Sequence, residues 1–215
     1  MRISIDCKAR VKVGNLSRAG KSRGKVAKKA DDHDTKWEES LVPLGIIDVV
    51  SSDLSLYFGN SNETSDFIVD CLQMWWNDNK KKYSNIQELV INLDNGASQK
   101  SERTQFIKRM VEFQKQMQIR IRLVYYPPYH SKYNPIEHVF GVLENYWNSE
   151  ILDSVTAVLK YASNMTYRMK RPLVKFIDRT YKKGVTLSKK ELEPFLNSFY
   201  RSSHLPKWDI LIAQH

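Results

Sequence analysis

The sequence predicts an α/β domain, a mixed sheet flanked by helices, continued by a helical C-terminal extension. Three observations predict it. Apolar runs of strand length open the chain as neighbouring pairs. From residue 64 onward such runs alternate with stretches whose apolar residues recur every three or four positions. After residue 153 the helical spacing takes over. The 215 residues, 41% of them hydrophobic and 11% aromatic, supply a core of ordinary domain size. A charged fraction of 27% excludes global disorder.

The elements follow in order. RISIDCKARVKVG alternates imperfectly and is rich in Ile and Val, so it reads as a strand running into a second strand or extended edge. Residues 15–36 form a basic loop rich in Gly, Ser, Lys and Arg, ending in the cluster Asp31, Asp32, His33 and Asp34. VPLGIIDVVSSDLSLYFGNS reads as two strands joined by a turn at Ser51–Ser52–Asp53. TSDFIVDCLQMWWNDNKKKY places Phe67, Ile68, Cys71, Leu72, Trp75 and Trp76 at helical spacing, with Thr64 as N-cap and Asp66 in the first turn. LVINLDNG is a central strand ending in a turn signal. SERTQFIKRMVEFQKQM is an amphipathic helix. IRIRLVYYPP is a strand stopped by Pro127–Pro128, which cannot extend a ladder. NPIEHVFGVLENYWNSEIL is a helix whose apolar face runs from Ile136 to Ile151. SVTAVLKYASNM and LSKKELEPFLNSFYR are the helices of the C-terminal extension, residues 154–215.

No apolar stretch reaches the ~18 residues of a membrane span, and the N-terminus has no secretory apolar region. Cys7 and Cys71 are too few for a disulfide framework and lack zinc-ligand spacing. A reduced intracellular compartment, the cytoplasm, is the expected setting. The formal net charge is +10, but its placement says more. Residues 1–30 hold ten Lys or Arg against one acid, and residues 166–190 hold nine against one. The rest of the chain is mildly acidic. Two basic segments on an acidic body point to a polyanionic partner along particular surfaces; solvated basic loops are the plainer reading.

Three carboxylates stand where α/β folds put ligand sites. Asp6 interrupts an apolar strand, Asp94 ends a buried one, and Glu137 opens a helix after Asn134–Pro135. Converging, they would make a hard-oxygen site suited to magnesium or manganese. Each also has a structural reading. Asp6 suits a wet edge strand and Asp94 an Asx turn. Glu137 suits a capping box with Asn134 at N-cap and Pro135 at N1. Glu144 lies about 10.5 Å further along the same helix stripe. That is too far to share one metal pair with Glu137, because such ions sit ~3.5–4 Å apart.

The motifs settle which reading to carry forward. YYPPYHSKYNPIEHVFGVLE resembles the signature of DDE transposases of the mariner-like superfamily, in which an Asn-Pro-Ile-Glu helix start carries the last catalytic acid. LVINLDNGASQKS resembles the segment holding the second catalytic Asp, and RISIDCKARVKVG the strand holding the first. GNLSRAGKSR, the Asp-His-Asp cluster, ETSDFIVDCLQMWW, YYPPYHSKYNPIE and LPKWD together resemble the ISAzo-type insertion-sequence transposases over nearly the whole chain. The chain departs from that pattern at Ala97, where Pro is common. It also departs at Ser149 and at Tyr167–Arg168–Met169, where Trp-Lys-Gly is usual. The spacing of 43 residues from Asp94 to Glu137 is longer than in most mariner-like enzymes.

The resemblance implies a ribonuclease H-like fold over residues 1–153. It implies a catalytic triad of Asp6, Asp94 and Glu137 and two divalent ions, Mg²⁺ or Mn²⁺, with Asp6 bridging and the other two acids holding one ion each. It implies phosphodiester cleavage and strand transfer on DNA at insertion-sequence ends in a bacterial, nucleoid-associated setting, with a homodimer in the DNA complex and neither membrane nor small-molecule cofactor. Arg18, Lys21, Arg23, Lys25 and Lys132 are the expected phosphate contacts. His130, Asn134 and His138 match motif positions without an assigned role. Relatives usually carry a helix-turn-helix part before the first strand, and only Met1–Arg2 stand there in this sequence. The 215 residues alone are therefore expected to bind duplex DNA through phosphates, without sequence preference. A non-catalytic DNA-binding remnant and a ribonuclease H-type nuclease are the alternatives.

Overall fold

The computed structural model describes residues 1–18, 20, 29–31, 37, 39–127 and 130–214. The described strands are β1 (Arg2–Cys7), β2 (Val11–Val13), β3 (Glu39–Asp48), β4 (Leu54–Gly59), β5 (Glu88–Leu93), β6 (Arg120–Tyr125), β7 (Leu173–Ile177), β8 (Phe199–Arg201) and β9 (Asp209–Ile212). They form one sheet in the order β7-β4-β3-β1-β5-β6-β9-β8, with β2 paired to β3. The helices are α1 (Ser65–Asn79), α2 (Thr104–Met117), α3 (Pro135–Trp147), α4 (Val155–Asn164) and α5 (Lys189–Leu196).

The side-chain alternation of β1 divides the molecule. Ile3 and Ile5 point to one face, where they pack with Phe67, Ile68 and Leu72 of α1 and Phe106, Ile107 and Met110 of α2. Ser4 and Asp6 take the opposite face, where α3 contacts both β1 and β3. There Ile136, Val139, Phe140, Leu143 and Trp147 of α3 join Leu41, Ile47, Leu56 and Phe58 in a second core. At about 25 cal/mol per Å² of apolar surface removed from water, these two cores are the main force holding helices to sheet.

The strand pairs and helices anticipated up to residue 147 are present. Thr64 caps α1 by accepting from Phe67 N. The turn between β3 and β4 closes around Asp48, whose Oδ1 accepts from Val50 N (2.9 Å) and Ser51 N (3.1 Å). The helix expected to reach Ile151 stops at Trp147, and Ser149 takes a left-handed φ of 63°.

The reading of residues 154–215 as a helical extension needs correcting. α4 and α5 are there, but the segment also contributes β7 beside β4 and β9 beside β6. It therefore completes the sheet on both sides. β7 is legible only in three dimensions, because its Leu173 and Phe176 are exposed and Lys175 sits between them. β8 and β9, at three and four residues, are too short to display a period of two. Among the described residues, no helix is long and apolar enough to cross a membrane.

A carboxylate cluster at the end of the central strands

β1 and β5 run parallel, with Ser4 level with Asn92. Two residues on, the same register sets Asp6 level with Asp94, the first residue beyond β5. Neighbouring strands lie about 4.8 Å apart, so the two residues stand side by side at the sheet's end. Asp6 also pairs with Gly45 on its other side, in β3.

Glu137 is brought to them by a buried polar junction. The Ser4 hydroxyl donates to Asn134 Oδ1 (2.5 Å) and accepts from the backbone N–H of Ile136 (3.1 Å). Asn134 Nδ2 donates to the Ile5 carbonyl (3.2 Å). Asn134 is wholly buried, as are Ser4 and Ile136. The helix start that carries Glu137 is thus fastened to the strand that carries Asp6.

Gly45 makes room for this. A Cβ there would stand 2.5 Å from Ile136 Cδ1 and 3.1 Å from Phe140. Only a residue without a side chain lets α3 lie so close to β3 beside Asp6.

The capping-box reading of Asn134 and Glu137 is not what the structure contains. Asn134 makes no side-chain capping bond, because its amide is committed to β1. Ser4 supplies the cap from a distant strand. A true capping box exists at α5, where Ser188 and Glu191 exchange hydrogen bonds.

Electrostatics report the convergence. Burial, then the charge of Asp94, then that of Glu137 push the Asp6 carboxyl up to about 8, against a lowering hydrogen bond from Cys7 N. A carboxyl crowded by two others responds this way. A divalent cation among them would cancel the repulsion, so the donor set, three hard carboxylates, fits such an ion. The three acids do not close on a common point: among the described residues, no group of three His, Cys, Asp or Glu side chains is placed closely enough to hold a metal ion. Asp6 Oδ1 is held by Cys7 N (2.7 Å). Asp94 Oδ1 accepts from Gly96 N (3.0 Å) and from Gln99 Nε2. Gln99 is itself buried and fixed by the Tyr125 hydroxyl, which donates to its carbonyl (2.9 Å).

The basic residues are dispersed. Lys132 is exposed in the short turn Ser131–Tyr133 before α3, with its ammonium over the Tyr133 ring. Arg18 lies over the Trp147 ring and donates to the Lys12 carbonyl. Trp147 is ten residues from Glu137, about 15 Å along α3, so Arg18 is remote from the acids. Lys21, Arg23, Lys25, Asp32, His33 and Asp34 lie outside the described residues. Sequence reasoning missed Ser4, Gly45 and Gln99. A glycine inside an apolar strand is a sign of close approach, so Gly45 alone carried a readable signal.

A family model described as the Rhodopirellula transposase DDE domain matches residues 1–214. No curated protein matches the chain. Among solved structures, the Mos1 transposase paired-end complex with left transposon end superposes with a TM-score of 0.54 at 11% identity. The Mos1 mariner paired end complex with Mn gives 0.54 at 12%. Each alignment covers 74% of this chain and 46% of the other, so the chain spans less than half the length of those proteins. At such identity the likeness shows the fold, which is ribonuclease H-like.

Proposed function

Because the chain belongs to the Rhodopirellula-type transposase DDE-domain family, we propose that it cuts and joins DNA phosphodiester bonds with Asp6, Asp94 and Glu137 as its catalytic carboxylates. The observation that supports the proposal is the parallel register of β1 and β5, which sets Asp6 level with Asp94, together with the Ser4–Asn134 junction that ties the start of α3 to β1.

The three acids would hold two divalent cations, Mg²⁺ or Mn²⁺. Such ions supply activation of an attacking water or 3′-hydroxyl and stabilisation of the leaving 3′-oxygen in an in-line displacement. The residues of the chain do the rest. Asp6 holds a proton while the cluster is without its cations and gives it up when they bind. Gly96 and Gln99 fix the Asp94 carboxylate through Oδ1. Ser4 and Asn134 keep Glu137 beside Asp6. Attack at phosphorus forms one P–O bond and breaks another, so no covalent enzyme intermediate is required.

The substrate is duplex DNA, at element ends and then at a target. Lys132, and the basic loop containing Arg18, Lys21, Arg23 and Lys25, contribute phosphate contacts. Two copies of the chain act together in a bacterial nucleoid, by analogy with the paired-end complexes of Mos1. The test is strand transfer between labelled duplex oligonucleotides in Mn²⁺. Joined product should form with the wild type and vanish with Glu137→Gln. Equal product from both would remove Glu137 from the reaction.

A further inference from the structure

The end of the sheet opposite the acids carries a second basic surface. α1 starts near the acid end and finishes at Lys80, Lys81 and Lys82, all exposed. Lys82 and Lys170 both reach Asp53, in the turn between β3 and β4, and Lys175 pairs with Asp78 (2.5 Å). Lys170, Arg171 and Lys175 line an open cleft of about 640 Å³ with Asp53, Ser55 and Asp78. Two acids thus serve a larger group of bases, and among the described residues Lys80, Lys81 and Arg171 pair with no acid.

A rigid tip rises beside this cleft. Tyr167 and Lys170 close a two-residue turn with reciprocal backbone hydrogen bonds of 2.9 and 3.0 Å. Its central residues, Arg168 and Met169, both have positive φ, 47° and 65°. Glycine or asparagine is the usual occupant of such positions, and left-handed side chains persist only where their surroundings hold them. Here Lys170 Nζ donates to Ser51 O (2.7 Å) and Asp53 Oδ1 (2.6 Å), and Arg168 donates to Ser52 Oγ (3.2 Å). Met169 is left 98% exposed at the apex. An unbranched apolar side chain on a fixed turn, flanked by cations, has the make-up of the wedges that enter a minor groove between base steps.

β1 is six residues long, about 20 Å at 3.3 Å per residue. The acids and this surface are therefore separated by about the length of the sheet, roughly 20 Å. We propose that the surface around the cleft is a second duplex-DNA contact site, apart from the acids, with Met169 inserted between the base steps of the duplex it seats. The proposal rests on the DNA-acting reading but not on the catalytic one.

The experiment measures binding of duplexes carrying 2-aminopurine to the full chain with Asp94→Asn, so that no cleavage intervenes. Lys80→Ala/Lys81→Ala/Arg171→Ala should lower the slope of log affinity against log salt by about 2.7, at ~0.9 per phosphate contact. Met169→Gly relieves the turn, so the protein should melt higher. It should keep the slope and abolish the 2-aminopurine brightening that reports unstacking. An unchanged slope in the triple variant overturns the site, and brightening that survives Met169→Gly overturns the wedge. Displacement of the duplex by poly-glutamate as readily as by unlabelled duplex would also overturn the proposal, because an acidic protein would then be the partner. Full cleavage by Asp94→Asn would refute the catalytic reading and leave this one standing.

Discussion

The Ser4 hydroxyl and the Asn134 side chain, 130 residues apart, join at 2.5 Å inside the protein. Together they fasten the start of α3 to β1. The residue at the N-cap position faces away from its own helix, and a serine from the central strand caps in its place. This exchange sets Glu137 beside Asp6.

Ser4→Ala should therefore cost more than an exposed cap. It leaves the buried Ile136 N–H and Asn134 Oδ1 without a partner, at about 1–3 kcal/mol, readable as a lower urea midpoint at unchanged m. Cleavage should fall further than the stability loss explains, since Glu137 loses its anchor. A midpoint equal to the wild type would show that the junction is idle.

Gly45→Ala tests the close approach of α3. The added methyl meets Ile136 and Phe140, and overpacking of this kind costs about 1–3 kcal/mol. Ile136→Val in the same chain should recover part of the stability by making room. If Gly45→Ala melts like the wild type, α3 is not held as closely as described.

Glu137→Gln separates catalysis from capping. Ser4 already satisfies the Ile136 N–H, so the neutral side chain should leave the melting temperature equal or slightly higher as one repelling charge disappears. Cleavage should drop by orders of magnitude. A lower melting temperature with retained cleavage would reinstate the capping role.

Asp6 predicts how stability depends on pH. Its carboxyl titrates near 4 unfolded and is pushed up to about 8 in the fold. Between those values the folded state holds more protons than the unfolded one, so this group's contribution falls as pH rises through that window and levels above it. Asp6→Asn should gain stability relative to the wild type as pH rises from 5 to 8, with the gap closing toward pH 4. Urea midpoints at pH 5 and 8 measure it, and parallel curves for both proteins would count against the cluster.

How much of this was legible in the sequence depends on the range of the interactions. Helices α1, α2 and α3 declared themselves through the spacing of Phe67, Phe106 and Val139 with their neighbours, because local periodicity encodes a buried face. Asp94 and Glu137 stood out by their places at a strand end and a helix start. Ser4 did not, because its role needs a partner 130 residues away. The capping pattern at Asn134 was misleading for the same reason: a tertiary bond outcompeted the local one. β7 and β9 were missed because each takes its stability from a neighbouring strand, β4 and β6, and carries little pattern of its own.

The central claim is that Asp6, Asp94 and Glu137 act as one metal-dependent cutting centre. A nicking assay on supercoiled plasmid in Mn²⁺, with wild type beside Asp94→Asn, tests it most directly. The account predicts conversion to open circles by the wild type, its abolition by chelator, and no conversion above background by Asp94→Asn at equal folded concentration. Equal nicking by the two proteins would contradict it.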